Sequence, residues 1–168
     1  MLPSGFALPP SLIELKLDHN LFQGTLPSEW GSQKNELILF NLGYNKDLTG
    51  TLPDTFFQLF QSSLETLNLE HTSVVGTIPK WIHELYSLEV INLSNTFIEG
   101  TIPPQLGLLS SLHELNLGET KLSGSLPKEV CNLREVGELN VLIVNCGGQT
   151  PTVQCDCCSE CTTSSSST

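Results

Sequence analysis

Six cysteines, four histidines and 18 carboxylates are the groups in this 168-residue sequence able to carry chemistry, and the cysteines are the most organised of them. Cys131 and Cys146 stand apart, while Cys155, Cys157, Cys158 and Cys161 crowd into a C-x-C-C-x-x-C cluster near the end. The C-x-x-C element offers two thiolates at a spacing that suits zinc, but a four-thiolate site normally carries two separated pairs of that kind. Only one pair is present, so disulfides are the favoured chemistry, with about 15 pairings open to six cysteines. Adjacent Cys157 and Cys158 fit the geometry of a bridge to each other poorly. Cys131 and Cys146 are therefore expected to reach into the cluster, leaving one bridge within it. A stapled C-terminal cap follows, with no metal site and no cofactor, in an oxidising compartment.

Catalytic arrangements are absent from the pattern. No G-x-S-x-G, phosphate-binding Gly-rich loop or H-E-x-x-H occurs. His83 and His113 have no nucleophile assigned beside them, and the chain is expected not to be an enzyme. The formal net charge of −11 would repel a phosphate backbone or an anionic membrane surface. The longest aliphatic run, Val141 to Val144, falls far short of the ~20 residues that span a bilayer. This segment is thus expected neither to bind nucleic acid nor to enter a membrane, and the first thirty residues show no signal peptide.

The elements that must position these groups are announced by an internal repeat. Gly-Thr/Ser-Leu/Ile-Pro begins at Gly24, Gly50, Gly76, Gly100 and Gly124. Before each copy stands an apolar triplet: Leu12/Leu15/Leu17, Leu37/Phe40/Leu42, Leu64/Leu67/Leu69, Leu88/Ile91/Leu93 and Leu112/Leu115/Leu117. An incomplete sixth copy is placed at Val136/Leu139/Val141. Alternating leucines make a short strand with one buried face. A 24-residue unit cannot cover that face alone, so successive units stack and their strands form a parallel sheet. Asn20, Asn45, Thr72, Thr96 and Thr120 fall where the chain turns inward, able to satisfy backbone groups left by the turn. Proline opens the return segment, and the pairs Ile82/Leu85, Leu106/Leu109 and Val130/Leu133 predict short helical turns with one buried face. Extra residues near 46–47, 54–63 and 30–36 are expected as convex-side insertions.

The unit Leu-x-x-Leu-x-Leu-x-x-Asn/Thr-x-Leu-x-Gly-x-Leu/Ile-Pro resembles the plant-type leucine-rich repeat (L domain-like) over about residues 12–145. It is similar to the extracellular parts of plant receptor kinases, receptor-like proteins and polygalacturonase-inhibiting proteins. Thr in place of Asn in three of five repeats, and the cysteine tail, depart from that pattern. The resemblance implies a repeat solenoid: a right-handed superhelix with a parallel β-sheet on its concave face and short helical or 3-10 turns on its convex face. Residues 1–11 are read as the tail of a truncated preceding repeat, with Pro3 in register. Residues 12–135 make five repeats, 136–161 the cap, and 162–168 a disordered Ser/Thr tail. A signal peptide, and any membrane anchor or kinase, would lie outside this chain.

The strip that faces outward from the sheet supplies the expected ligand contacts: Glu14, Lys16, Asp18, Asn41, Tyr44, Asn68, Glu70, His71, Asn92, Asn95, Asn116 and Glu119. Asn140 and Glu138 continue it in the sixth copy. His19 and His71 fall two coils apart, about 10 Å, too far to share an ion. Glu14 and Asp18 read as outward residues of one strand. Asn92-Leu93-Ser94 is the one glycosylation sequon, and a glycan on Asn92 would obstruct this face. The resemblance implies an extracellular or cell-surface recognition module for a protein, peptide or glycan. An inhibitor of cell-wall hydrolases and an ice-binding protein are the alternatives.

Overall fold

The computed structural model describes residues 1–2, 5, 7–31, 36–53 and 60–163. Pro3, much of the insertions at 30–36 and 54–63, and the end of the Ser/Thr tail lie outside these residues. Each coil contributes one short strand to a parallel sheet: β1 (Glu14–Lys16), β3 (Leu39–Asn41), β5 (Thr66–Asn68), β7 (Val90–Asn92), β9 (Glu114–Asn116) and β12 (Val141–Val144). A seventh strand, β14 (Glu160–Cys161), comes from the tail and pairs with β12. Leu15, Phe40, Leu67, Ile91, Leu115 and Leu142 share one register across the sheet. From Phe40 onward each is at most 1% exposed. Leu15, with no coil packed beyond it among the described residues, is only partly buried.

A second parallel sheet forms where each chain leaves its turn: β2 (Gln23–Thr25), β4 (Asp47–Gly50), β6 (Ser73–Gly76), β8 (Phe97–Gly100) and β10 (Lys121–Leu122), stacked in that order. The short strand β11 (Gly124–Ser125) pairs with β13 (Val153–Gln154), which carries the tail back onto the last coil. The glycine closing each of these turns has φ near +90°. At Gly50 the space a side chain would need is already filled, because Thr25 of the preceding coil brings its methyl within 2.8 Å of that point. Thr51 and Thr77 seat against Gly76 and Gly100 in the same way. The threonine of the repeat is thus a packing residue whose methyl requires the next coil's glycine.

On the return side, proline precedes 3-10 turns at Lys80–Glu84 and Pro104–Leu108, which bury Ile82 and Leu106. The last return is instead an eight-residue α-helix, α1 (Lys128–Glu135), burying Val130 and Leu133. An α-helix rises about 1.5 Å per residue against about 2.0 Å in a 3-10 turn, so crossing the convex edge takes more residues. The sixth copy shifts accordingly. Val136 is 89% exposed, and the buried triplet is Leu139/Leu142/Val144, three residues later than the sequence pattern placed it. Asn140 and Glu138 therefore leave the outward strip. Asn140 sits at the strand entry with its carbonyl accepting from Arg134, and Ile143 takes the outward position beside Asn116.

A column of buried polar side chains closes the turns. Asn45 is wholly buried: its Nδ2 donates to the carbonyls of Leu42 (2.8 Å) and Leu17 (3.0 Å), and its Oδ1 accepts from the Phe22 amide (3.0 Å). It thus stitches two coils together. Thr72, Thr96 and Thr120 donate only within their own coil, to Leu69, Leu93 and Leu117 at 2.7–2.8 Å. Asn145 repeats the stitch at the far end, donating to Thr120 and accepting from the Glu119 amide. Removing a partner from a buried hydrogen bond costs about 1–3 kcal/mol per stranded group. Asn45→Ala is therefore expected to destabilise by roughly 3 kcal/mol, and Thr96→Val by about 1 kcal/mol. Urea unfolding of the two variants would show this difference.

Candidate functional site

The outward strip begins with residues that mostly serve the backbone. Asn41, Asn68, Asn92 and Asn116 stand in one row, one per coil. Each turns its Oδ1 onto the amide two residues ahead, on Gly43, Glu70, Ser94 and Gly118, at 2.9–3.1 Å. These Asx contacts end the strand and start the turn. Their acceptors are thereby committed; Asn92 also accepts from the Ser94 hydroxyl, and the Asn68 amide donates to Glu70. At the N-terminal end Lys16 pairs with Glu14 at 2.6 Å, both side chains more than half exposed, a contact worth little in water. Asp18 follows at the exit of the same strand, between Leu17 and His19, whose amides bond the Asn41 and Gly43 carbonyls of the next coil.

Three residues beyond each strip position the backbone enters the left-handed region. His19, Tyr44, His71, Asn95 and Glu119 have φ between 52° and 59°. The cause is local and repeated. The amides of His19, Tyr44, His71 and Asn95 must reach the next coil's carbonyl (Gly43, Glu70, Ser94 and Gly118, 2.8–3.0 Å), while at Tyr44, His71, Asn95 and Glu119 the following residue must plunge into the core. For a residue with a Cβ this conformation costs on the order of 1 kcal/mol, which glycine would avoid. None of the five is glycine.

Their side chains line up in one column, in contact within two groups. Tyr44 is sandwiched between His19 (centroids 4.1 Å apart, planes 11° apart) and His71 (4.5 Å, 21°). The tyrosine ring occupies the space between the two histidines. Farther along, Asn95 Nδ2 donates to Glu119 Oε2 at 3.0 Å.

Two residues past the column a second row points outward: Leu21, Lys46, Ser73, Phe97 and Lys121. Sequence reasoning missed it. Its visible signal was two apolar residues, Leu21 and Phe97, in an otherwise polar row; both are exposed, and the Lys121 cation lies 4.9 Å from the centre of the Phe97 ring. Between the two rows runs a groove of about 470 Å³, walled by His71, Asn95 and Glu119 on one side and Lys46, Phe97 and Lys121 on the other. Thr72, Thr96 and Thr120 form its floor. A smaller hollow of about 200 Å³ lies on the sheet side of the same column, reaching Asn116, Ile143 and Thr162. His71, Asn95 and Glu119 thus line both depressions. Of the strip expected from the sequence, these three and Asn116 come together around them; Glu14, Lys16 and Asp18 do not line either.

No hydrogen bond among the described residues joins a histidine ring to a serine, threonine or cysteine, and His83 is engaged with the Lys80 carbonyl at 2.7 Å. The cysteines form three bridges: Cys131–Cys157, Cys146–Cys161 and Cys155–Cys158. Two of them anchor the tail to α1 and to the segment after β12, and the third lies within the cluster.

Comparison with known proteins agrees with the fold. The Leucine Rich Repeat family pattern matches residues 63–85, 87–109 and 111–133. No curated protein sequence matches the chain. Among solved structures, the BIR3–SERK2 complex of Arabidopsis thaliana is 28% identical with a TM-score of 0.69, covering 86% of this chain and 73% of that one. The leucine-rich-repeat ectodomain of the A. thaliana membrane receptor kinase GASSHO1/SCHENGEN3, in complex with CASPARIAN STRIP INTEGRITY FACTOR 2, is 30% identical with a TM-score of 0.72. The match covers 84% of this chain but 17% of that ectodomain, so the chain spans a small part of its length. A plant ice-binding protein is 25% identical with a TM-score of 0.61, covering 79% of this chain and 39% of that one.

The backbone at Tyr44 gives a direct check on the column. Asparagine tolerates the left-handed region, whereas a β-branched residue does not. Tyr44→Val is expected to lower stability by about 1–2 kcal/mol more than Tyr44→Asn, although valine is the more apolar replacement. Paired urea melts would reveal the order.

Proposed function

From the premise that this chain is a leucine-rich-repeat solenoid of the plant type, we propose that it is an extracellular recognition module. It binds a peptide, protein or glycan ligand along the left-handed column and the two depressions beside it, and it acts by binding rather than catalysis. The observation that carries this reading is the presence of His, Tyr, His, Asn and Glu at five positions where the backbone conformation favours glycine. Strain kept at successive positions, with side chains lining a groove, is the pattern of a site held for its side chains. The disulfide-stapled cap supports an oxidising, extracellular setting, as does the likeness to receptor ectodomains.

Ice binding is the second reading, resting on the exposed row Thr25, Thr51, Thr77, Thr101 and Ser125 and on the likeness to a plant ice-binding protein. The methyls of Thr25, Thr51 and Thr77 are already seated on the glycines of the next coil, so packing accounts for much of that row.

Binding to the immobilised chain, screened against extracellular peptides and oligosaccharides, separates these readings. Replacing His71, Asn95 and Glu119 together with alanine is expected to weaken the captured ligand at least tenfold, about 1.4 kcal/mol. Tyr86→Ala, on an exposed convex-side residue, is expected to leave it unchanged. Ligand capture indifferent to the triple change would overturn the proposal, as would thermal hysteresis in the purified protein.

A further inference from the structure

The three bridges are of two kinds. Cys131–Cys157 joins residues 26 apart in sequence and holds the tail to α1, whereas Cys155–Cys158 spans a separation of 3 and ties the tail only to itself. This short bridge lies against Cys146–Cys161. The sulfurs of Cys146, Cys155 and Cys158 are all within 4.8 Å of one another, and Cys161 Sγ is bonded to that of Cys146. Three sulfurs on half-buried residues therefore share one cluster at the end of the solenoid, and a fourth, on the exposed Cys161, is bonded to one of them. A tetrahedral zinc ion with Zn–S bonds of about 2.3 Å sets its sulfurs about 3.8 Å apart. The second pair that a tetrathiolate site needs is missing from the local sequence, but the fold supplies it. Pairing of Val144 with Cys161 between β12 and β14, with the Thr162 amide on the Val144 carbonyl at 2.9 Å, holds Cys146 and Cys161 together without help from their bridge.

We propose that Cys146, Cys155, Cys158 and Cys161 form a redox-gated site for one thiophilic divalent cation such as Zn²⁺. A dithiol reductant opens each bridge through a mixed disulfide and leaves as its own disulfide, delivering two electrons and two protons per bridge. The four thiols produced then lose four protons to solvent as they bind the ion as thiolates. The tail is pinned by covalent bridges when oxidised and by the metal when reduced, so the cap keeps β14 on the sheet in both states.

The test starts from folded, oxidised protein, reduced with a phosphine under anaerobic conditions and titrated with Co²⁺ as an optical probe and then with Zn²⁺. The expected result is one ion per chain, with the intense thiolate-to-cobalt absorption and visible bands of a tetrahedral site, displaced by Zn²⁺. The oxidised protein should bind none. Cys155→Ser/Cys158→Ser is expected to weaken binding at least 100-fold, while Cys131→Ser/Cys157→Ser retains the spectrum. Stoichiometric Zn²⁺ should also raise the Tm of the reduced chain by several degrees, since only binding to the folded state stabilises it. Absence of the tetrahedral spectrum would overturn the proposal. So would its loss in the Cys131/Cys157 variant, or a Tm that Zn²⁺ leaves unchanged or lowers.

Discussion

The inward side chains of the sheet, Phe40, Leu67, Ile91, Leu115 and Leu142, stand in one register and belong to a single buried core that runs through the stacked coils. Burying such a side chain is worth about 1.5–3 kcal/mol, and the continuous core requires adjacent coils to stay in register at one strand spacing. Everything else in the molecule answers to that register. The threonine methyl must find the next coil's glycine, as Thr25 does at Gly50. The buried polar column must find carbonyls at the turns, as Asn45 does at Leu42 and Leu17. Where stacking ends, the tail takes over, adding β13 and β14 and three bridges to cover the last coil.

The same register produces the candidate site. To hand its amide to the next coil and then bury the following residue, the chain must turn left-handed once per coil, always at the same place. Side chains at that place stack one above another along the axis. Tyr44 between His19 and His71 is a consequence of coil spacing as much as of aromatic attraction. Stability alone would be served by glycine at these five positions, and three of the side chains found there, His71, Asn95 and Glu119, line a groove and a hollow. The link from fold to function therefore runs through a strain that packing imposes and the site retains.

Much of this was legible in the residues. Leucines at 3- and 2-residue steps, with Gly-Thr/Ser-Leu/Ile-Pro behind them, specified strand, turn and return for coils whose strands obey a strict period. The sixth coil escaped because α1 replaced a 3-10 turn: Val136 looked like the next core residue, and only the helix rise shows why Leu139 is. The asparagine row was visible, but its commitment to backbone amides was not, since an outward Asn reads alike whether it serves a ligand or its own turn. Lys46, Phe97 and Lys121 were overlooked because nothing local marks them as neighbours of His71 and Glu119; the groove exists only once coils are stacked. The proximity of Cys155 to Cys146 is likewise a property of strand pairing rather than of spacing.

The central claim is that the left-handed column is kept for recognition at some expense to stability. Replacing His71 and Glu119 with glycine tests both halves at once, because glycine relieves the backbone while it removes the side chains. The account predicts an unfolding free energy that holds within about 1 kcal/mol, strain relief offsetting lost stacking, together with at least a tenfold loss of ligand capture. A double variant that unfolds several kcal/mol more easily, or one that binds as before, would contradict it.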